Sequence, residues 1–200
     1  MRRAPIVLIP LLLALALVLG AYLWRASDAL PGLGRVIGNG EPAIGGAFAL
    51  TDQYGKPRSS GEFRGRFLLV YFGYSHCPDV CPTTLATMAD ALSKLGSDRA
   101  RIVPIFITID PARDTPAQLK PYLDAVAPGF VGLTGTDKAI AAVAGRFLVK
   151  FKKQKLPGGG YAMDHSNVIY LMGPDGRFVT YWDDAAIGPD KLAEQLRARL

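Results

Sequence analysis

Only two cysteines occur in this 200-residue chain, Cys77 and Cys81, and both lie in the stretch GYSHCPDVCPTT, each followed by a proline. Two thiols so close can staple the backbone, exchange with other disulfides, or hold a soft metal ion. A staple here would close a very small loop, and chain-entropy stabilisation grows with loop length, so little would be gained. Exported domains that rely on disulfides tend to join distant segments instead. Redox and metal chemistry are the stronger readings. Thioredoxin-like oxidoreductases separate their two cysteines by two residues. Here Pro78, Asp79 and Val80 intervene, which leaves a wider space between the sulfurs. Asp79 adds a negative charge that opposes thiolate formation and suits a cationic guest.

A metal site needs further ligands, and the chain has only two histidines. His76 abuts Cys77, which makes it awkward to aim both side chains at one ion. His165, in YAMDHSNVIYLM, precedes an apolar strand-like run. If that strand ends beside the cysteines, two thiolates and one imidazole meet. Such a set suits copper, particularly Cu(I). It also suits zinc, which would want a fourth ligand; copper is the better match.

The elements that must position these residues alternate between strand and helix. FLLVYFG (67–73) and IVPIFITI (102–109) are apolar runs of strand length, the pattern of strands buried on both faces. FALTDQYG (48–55) begins as a strand, and FVGLTG (130–135) reads as another. Leu85, Met88, Ala89, Leu92 and Leu95 form one helical stripe. Residues 116–127 and 136–147 are expected to be helices, the second capped by Thr136 or Asp137. Two strands around GPDG (173–176) make a hairpin, and a last helix starts near Pro189. This order predicts an α/β fold, a thioredoxin-like three-layer sandwich around a central β-sheet.

The cysteines then lie at the end of the first buried strand. Pro82 fixes φ and lacks an N–H, so the following helix is expected to begin near it, with CPDVC as a loop at its positive end. Free N–H groups there favour thiolates. The run KFKKQK (150–155), before LPGGGY, is expected to be a solvated loop or a docking site for acidic partners or anionic headgroups.

At the N-terminus, Ala4 to Trp24 carries no charge over twenty-one residues. As a helix it would span about 31 Å, close to the hydrocarbon thickness of a bilayer. Its length and the aromatic pair near its exit, Tyr22 and Trp24, favour an uncleaved single-pass anchor over a signal peptide. Arg2 and Arg3 favour a cytoplasmic start, with the rest of the chain outside. The expected division is an anchor at 1–25, a Gly- and Pro-rich linker at 26–46 and a domain at 47–200. The formal net charge is +6, and setting aside Arg2, Arg3 and Arg25 leaves +3. That mild excess gives no footprint for nucleic acid.

Three motifs together resemble the Sco (SenC) family of copper-binding assembly factors: GYSHCPDVCP, DPARDTP (110–116) and DHS (164–166). The GPDG hairpin and the N-terminal apolar segment also fit. The resemblance implies a membrane-tethered copper chaperone for the CuA centre in the copper-bearing subunit of cytochrome c oxidase. Cys77, Cys81 and His165 would bind one copper ion per domain, as Cu(I) and Cu(II). It also implies thiol–disulfide chemistry at Cys77 and Cys81, and with it a thiol reductant and another periplasmic copper carrier as further partners.

Asp79, Asp110, Asp114 and Asp164 are candidates for supporting the ligands or docking a partner; for Asp110 and Asp114, capping the loop and the next helix is an equal alternative. Arg113 can pair with either. Met163 reads as packing rather than a further soft ligand. The competing function is a thiol–disulfide oxidoreductase or thiol peroxidase, with Cys77 as nucleophile and Cys81 as resolving thiol, and it has no need of His165. The short basic start, without an Arg- or Ser-rich presequence, points to a bacterial inner membrane with the domain in the periplasm.

Overall fold

The computed structural model describes residues 43–200. The expected anchor at 1–25, and the expected linker as far as residue 42, lie outside the described residues. No helix among the described residues is long and apolar enough to cross a membrane.

Nine strands are described: β1 (Ala49–Asp52), β2 (Pro57–Ser59), β3 (Phe67–Gly73), β4 (Ile102–Thr108), β5 (Val131–Thr134), β6 (Phe151–Lys155), β7 (Tyr161–His165), β8 (Val168–Met172) and β9 (Phe178–Asp183). Four α-helices accompany them: α1 (Val80–Ser93), α2 (Pro116–Val126), α3 (Asp137–Arg146) and α4 (Pro189–Arg197). Seven strands form one sheet in the order β2-β1-β5-β4-β3-β8-β9. Strands β3, β4 and β5 run parallel, while β8 pairs antiparallel with β3. Every residue of β3 and of β4 is buried, as the unbroken apolar runs require of strands covered on both sides.

Successive side chains on β3 point to opposite faces and so separate the layers. Tyr71 meets Phe106, whose ring in turn faces Tyr122 of α2. Phe72 meets Phe147, at the end of α3, and Tyr170 of β8. Helix α1 packs against α4. The result is the expected thioredoxin-type sandwich.

Two expectations are corrected. Helix α1 begins at Val80, two residues ahead of Pro82 and with Asp79 at its N-cap, so Cys81 lies in its first turn and not in the loop before it. Proline is tolerated throughout a first turn whose N–H groups have no intrahelical acceptor, so Pro82 does not mark the boundary. The lysine run is not a loop either. Phe151–Lys155 is strand β6, paired with β7 in a separate two-stranded ribbon. Gly159 and Gly160 adopt φ of 89° and 74° in the connecting turn, where glycine alone is unstrained. Lysines along the ribbon's open edge also discourage pairing with other chains.

Candidate metal centre

Strand β3 delivers the cysteine loop to the end of the sheet, and Gly73 sets how closely α1 can approach it. A methyl group at Gly73 would lie 3.0 Å from Cys81 Sγ and 2.9 Å from the Phe106 ring. Only the bare backbone leaves room for the sulfur. Cys81 sits in the first turn of α1, fully buried, and both cysteines are free thiols. Its backbone N–H donates to Cys77 Sγ at 3.4 Å, so the positive end of the helix does face one sulfur.

The other sulfur is different from expectation. Burial pushes the Cys81 thiol up to about 12, against the partial opposition of a backbone hydrogen bond from Tyr74. Desolvation outweighs the helix end there, because no solvent reaches the sulfur to share the charge. Cys77, partly exposed, is the accessible thiol. Near neutral pH, iodoacetamide should therefore add a single label to the native reduced protein, at Cys77, and two labels after denaturation. Peptide mass spectrometry reads both sites, and early labelling of Cys81 would refute the assignment.

His165 arrives from the opposite direction, at the end of β7. Its Nε2 lies 3.5 Å from Cys81 Sγ, and its Nδ1 lies 3.0 Å from the Ser166 carbonyl oxygen. Donation from Nδ1–H to that carbonyl assigns the tautomer and leaves the Nε2 lone pair facing the sulfur. Tyr71 and Tyr74 stand edge-on to the imidazole, with centroids 6.3 and 6.0 Å away. Burial lowers the pKa of His165 and so favours the neutral ring.

A cavity of about 250 Å³ opens beside this group, lined by Tyr74, Cys77, Asp79, Met163, His165 and Asn167 among others. Asp79 and Asp164 are exposed at its rim, where their charge favours a cation. Met163 is buried in the core, as its packing role requires. His76 is turned away: its Nδ1 lies 3.0 Å from Ser75 Oγ. Among the described residues, no three cysteine, histidine or acidic side chains are already gathered as a ready-made cage. Cys81 and His165 touch, while Cys77 Sγ is engaged with the Cys81 N–H.

Asp110 and Asp114 are 2% and 0% exposed, which corrects the idea that they dock a partner. Asp114 instead holds the loop that leads to Cys77. Its Oδ2 accepts from Ser75 N–H at 3.0 Å and from Thr108 Oγ1 at 2.6 Å, and its Oδ1 accepts from Ser75 Oγ. Asp110 pairs with Arg113 and accepts from the Tyr161 hydroxyl at 2.9 Å.

Sequence reasoning missed the layer behind Cys81. Thr84 Oγ1 donates to Asp184 Oδ2 at 2.7 Å, and the Tyr71 hydroxyl lies 3.3 Å from the same oxygen and 3.9 Å from Cys81 Sγ. Asp184 is separated from Cys81 by more than a hundred positions, and no local pattern marks it. Tyr71 lay in plain view, two residues before Gly73, but read as one more apolar strand residue.

Residues 38–200 match the family model SCO1/SenC. The chain is 41% identical to the mitochondrial protein SCO2 of Saccharomyces cerevisiae over 165 residues, 80% of this chain and 55% of that protein. It is 40% identical to the mitochondrial SCO1 of the same yeast, over 80% of this chain and 57% of that protein. It therefore spans little more than half the length of these relatives. Among solved structures, Bradyrhizobium japonicum ScoI with copper bound superposes with a TM-score of 0.73 at 44% identity, over 79% of this chain and all of that one. Yeast Sco1 with copper bound gives 0.71 at 37%, over 78% of this chain and 88% of that one. A family match over most of the chain, and relatives whose fold and sequence both agree with it, make this chain a member of the SCO1/SenC family.

Proposed function

We propose that this protein binds copper through Cys77, Cys81 and His165 and delivers it to the CuA site of cytochrome c oxidase. The observation that carries the reading is the approach of His165 Nε2 to Cys81 Sγ, with Nδ1 tied to a carbonyl so that the lone pair faces the thiols. Thiol–disulfide exchange between Cys77 and Cys81 does not require a histidine at that distance, whereas a copper site that also takes Cu(II) needs a ligand beyond the two thiolates. Copper-bound relatives that share the fold support the choice of metal. Two thiolates suit Cu(I), and the added imidazole extends the site to Cu(II).

Loading displaces the proton of Cys81 and draws Cys77 Sγ from the Cys81 N–H to the metal. With few ligands and an open rim, incoming thiolates of the acceptor can replace them one at a time. Residues 4–24 tether the domain to a bacterial inner membrane, with residues 47–200 in the periplasm. The two adjacent free thiols also support linked chemistry. They can form a disulfide while a partner's disulfide is reduced, two electrons and two protons passing to the partner, and in that state they cannot hold copper.

The test is transfer. The full-length chain in detergent, reduced and loaded with one Cu(I), is mixed anaerobically with the metal-free copper domain of the oxidase subunit. Copper should move to the acceptor, and the Cys77→Ala/Cys81→Ala double variant should carry none. Reduction of the acceptor's disulfide by a protein that binds no copper would establish the oxidoreductase reading instead.

A further inference from the structure

The ribbon that carries His165 lies outside the main sheet and makes no ladder with it; it joins the sheet only through the two residues between His165 and β8, the strand that pairs with β3. That junction anchors the His165 end of β7 alone, so the rest of the ribbon needs a further hold to keep the imidazole against the thiols. Tyr161, four residues before His165 on β7, is where the ribbon is gripped. The Arg113 guanidinium lies 3.8 Å from the centroid of the Tyr161 ring, and its Nη1–H donates to the Tyr161 carbonyl at 3.0 Å. Its Nε–H donates to Asp110 Oδ2, while Asp110 Oδ1 accepts from the Tyr161 hydroxyl at 2.9 Å. Both ends of the tyrosine are thus tied to one short loop.

The same guanidinium lies 5.6 Å from the centroid of the Tyr74 ring, which stands edge-on to His165. Its Nη2 is buried without a hydrogen-bond partner, so the aromatic faces take the place of water around part of the charge. The next acid in the loop, Asp114, holds Ser75 just ahead of the cysteines. One loop therefore clasps both halves of the site, the cysteine half through Asp114 and the histidine half through Arg113.

We infer that Arg113 is a positioning residue, a clasp on Tyr161 that holds the β6–β7 ribbon where His165 can share an ion with Cys77 and Cys81. The inference rests on the copper reading for its consequence, but the clasp itself is a property of the metal-free protein. Loss of a side chain that orients a ligand typically lowers metal affinity about 10–100-fold. Arg113→Ala should weaken Cu(II) by that order and alter the thiolate-to-Cu(II) absorption. Cu(I) should be affected much less, because the two thiolates dominate its binding. Arg113→Lys keeps the charge but not the planar fork and should recover only part of the loss.

The experiment titrates Cu(II) and Cu(I) into the full chain in detergent for wild type, Arg113→Ala, Arg113→Lys and Tyr161→Leu. The imidazole NMR signals of His165 are recorded beside them in the metal-free proteins. A moved or broadened His165 signal, with selective loss of Cu(II), supports the clasp. Unchanged His165 signals in Arg113→Ala overturn it. Should Arg113→Ala fail to fold, Tyr161→Leu removes the same stack from the exposed ribbon, and unchanged signals there overturn it equally. A wild type that binds no copper overturns the proposed function, while the NMR comparison still decides the clasp.

Discussion

His165→Ala is expected to lower Cu(II) affinity by about a hundredfold or more, at or beyond the top of the range for groups that only orient a ligand. Cu(I) should remain bound to the two sulfurs. The asymmetry follows from ligand chemistry: thiolates satisfy Cu(I) by themselves, whereas Cu(II) gains from the imidazole nitrogen. Equal affinity of wild type and variant for Cu(II), in parallel titrations read by thiolate-to-Cu(II) absorption, would remove His165 from the ligand set. The pH dependence has a definite sign. Burial depresses the His165 pKa, so the ring stays neutral as pH falls to the value of a free histidine, about 6.5, and somewhat below it. The unfolded chain takes up that proton first. Stability linked to His165 is thus fully present above about pH 6.5 and is lost as pH falls through the lower folded-state pKa. Cu(II) binding should fail in the same acid range, and at a lower pH than an exposed imidazole would allow. In His165→Ala this part of the stability profile should flatten.

Asp114→Ala should be the most damaging single change to the fold of the site. The carboxylate is fully buried and accepts from Ser75 N–H, Ser75 Oγ and Thr108 Oγ1. Removing it strands the fully buried Thr108 hydroxyl and takes the acceptor from the N–H of half-buried Ser75, whose hydroxyl keeps His76 Nδ1 at 3.0 Å. At about 1–3 kcal/mol for each buried group left without a partner, and some relaxation, a loss of about 3–4 kcal/mol is expected. Asp114→Asn keeps the shape and one acceptor oxygen and should lose about half as much. Urea unfolding of the metal-free proteins reads the loss. Alkylation of Cys77 should also accelerate in Asp114→Ala, because the loop between Ser75 and Cys77 is no longer held. A loss under about 1 kcal/mol would mean that solvent replaces the carboxylate, contrary to its burial.

The amino-acid sequence by itself determined the parts whose physics is local. Buried strands announced themselves as the apolar runs at 67–73 and 102–108, and α1 as a stripe at helical spacing. The ligand candidates were legible because cysteine and histidine are rare here and their chemistry is narrow. Where local chemistry pulled two ways, the sequence misled. Pro82 is as acceptable inside the first turn as at its start, and a lysine run is as acceptable on an open-edged ribbon as in a loop.

Tertiary structure decided what depends on desolvation and on partners distant along the chain. The helix end that should favour a thiolate at Cys81 is overruled by complete burial. Asp110 and Asp114, read equally as partner-docking and as loop-capping residues, turn inward because Ser75, Thr108, Arg113 and Tyr161 supply what a buried carboxylate needs. Asp184 and Tyr71 reach Cys81 from parts of the chain that no local pattern connects. Composition and spacing state which atoms can do the chemistry. Only the folded chain sets which of them lose water and which face one another, because solvation and contact belong to the packed structure and not to the order of residues.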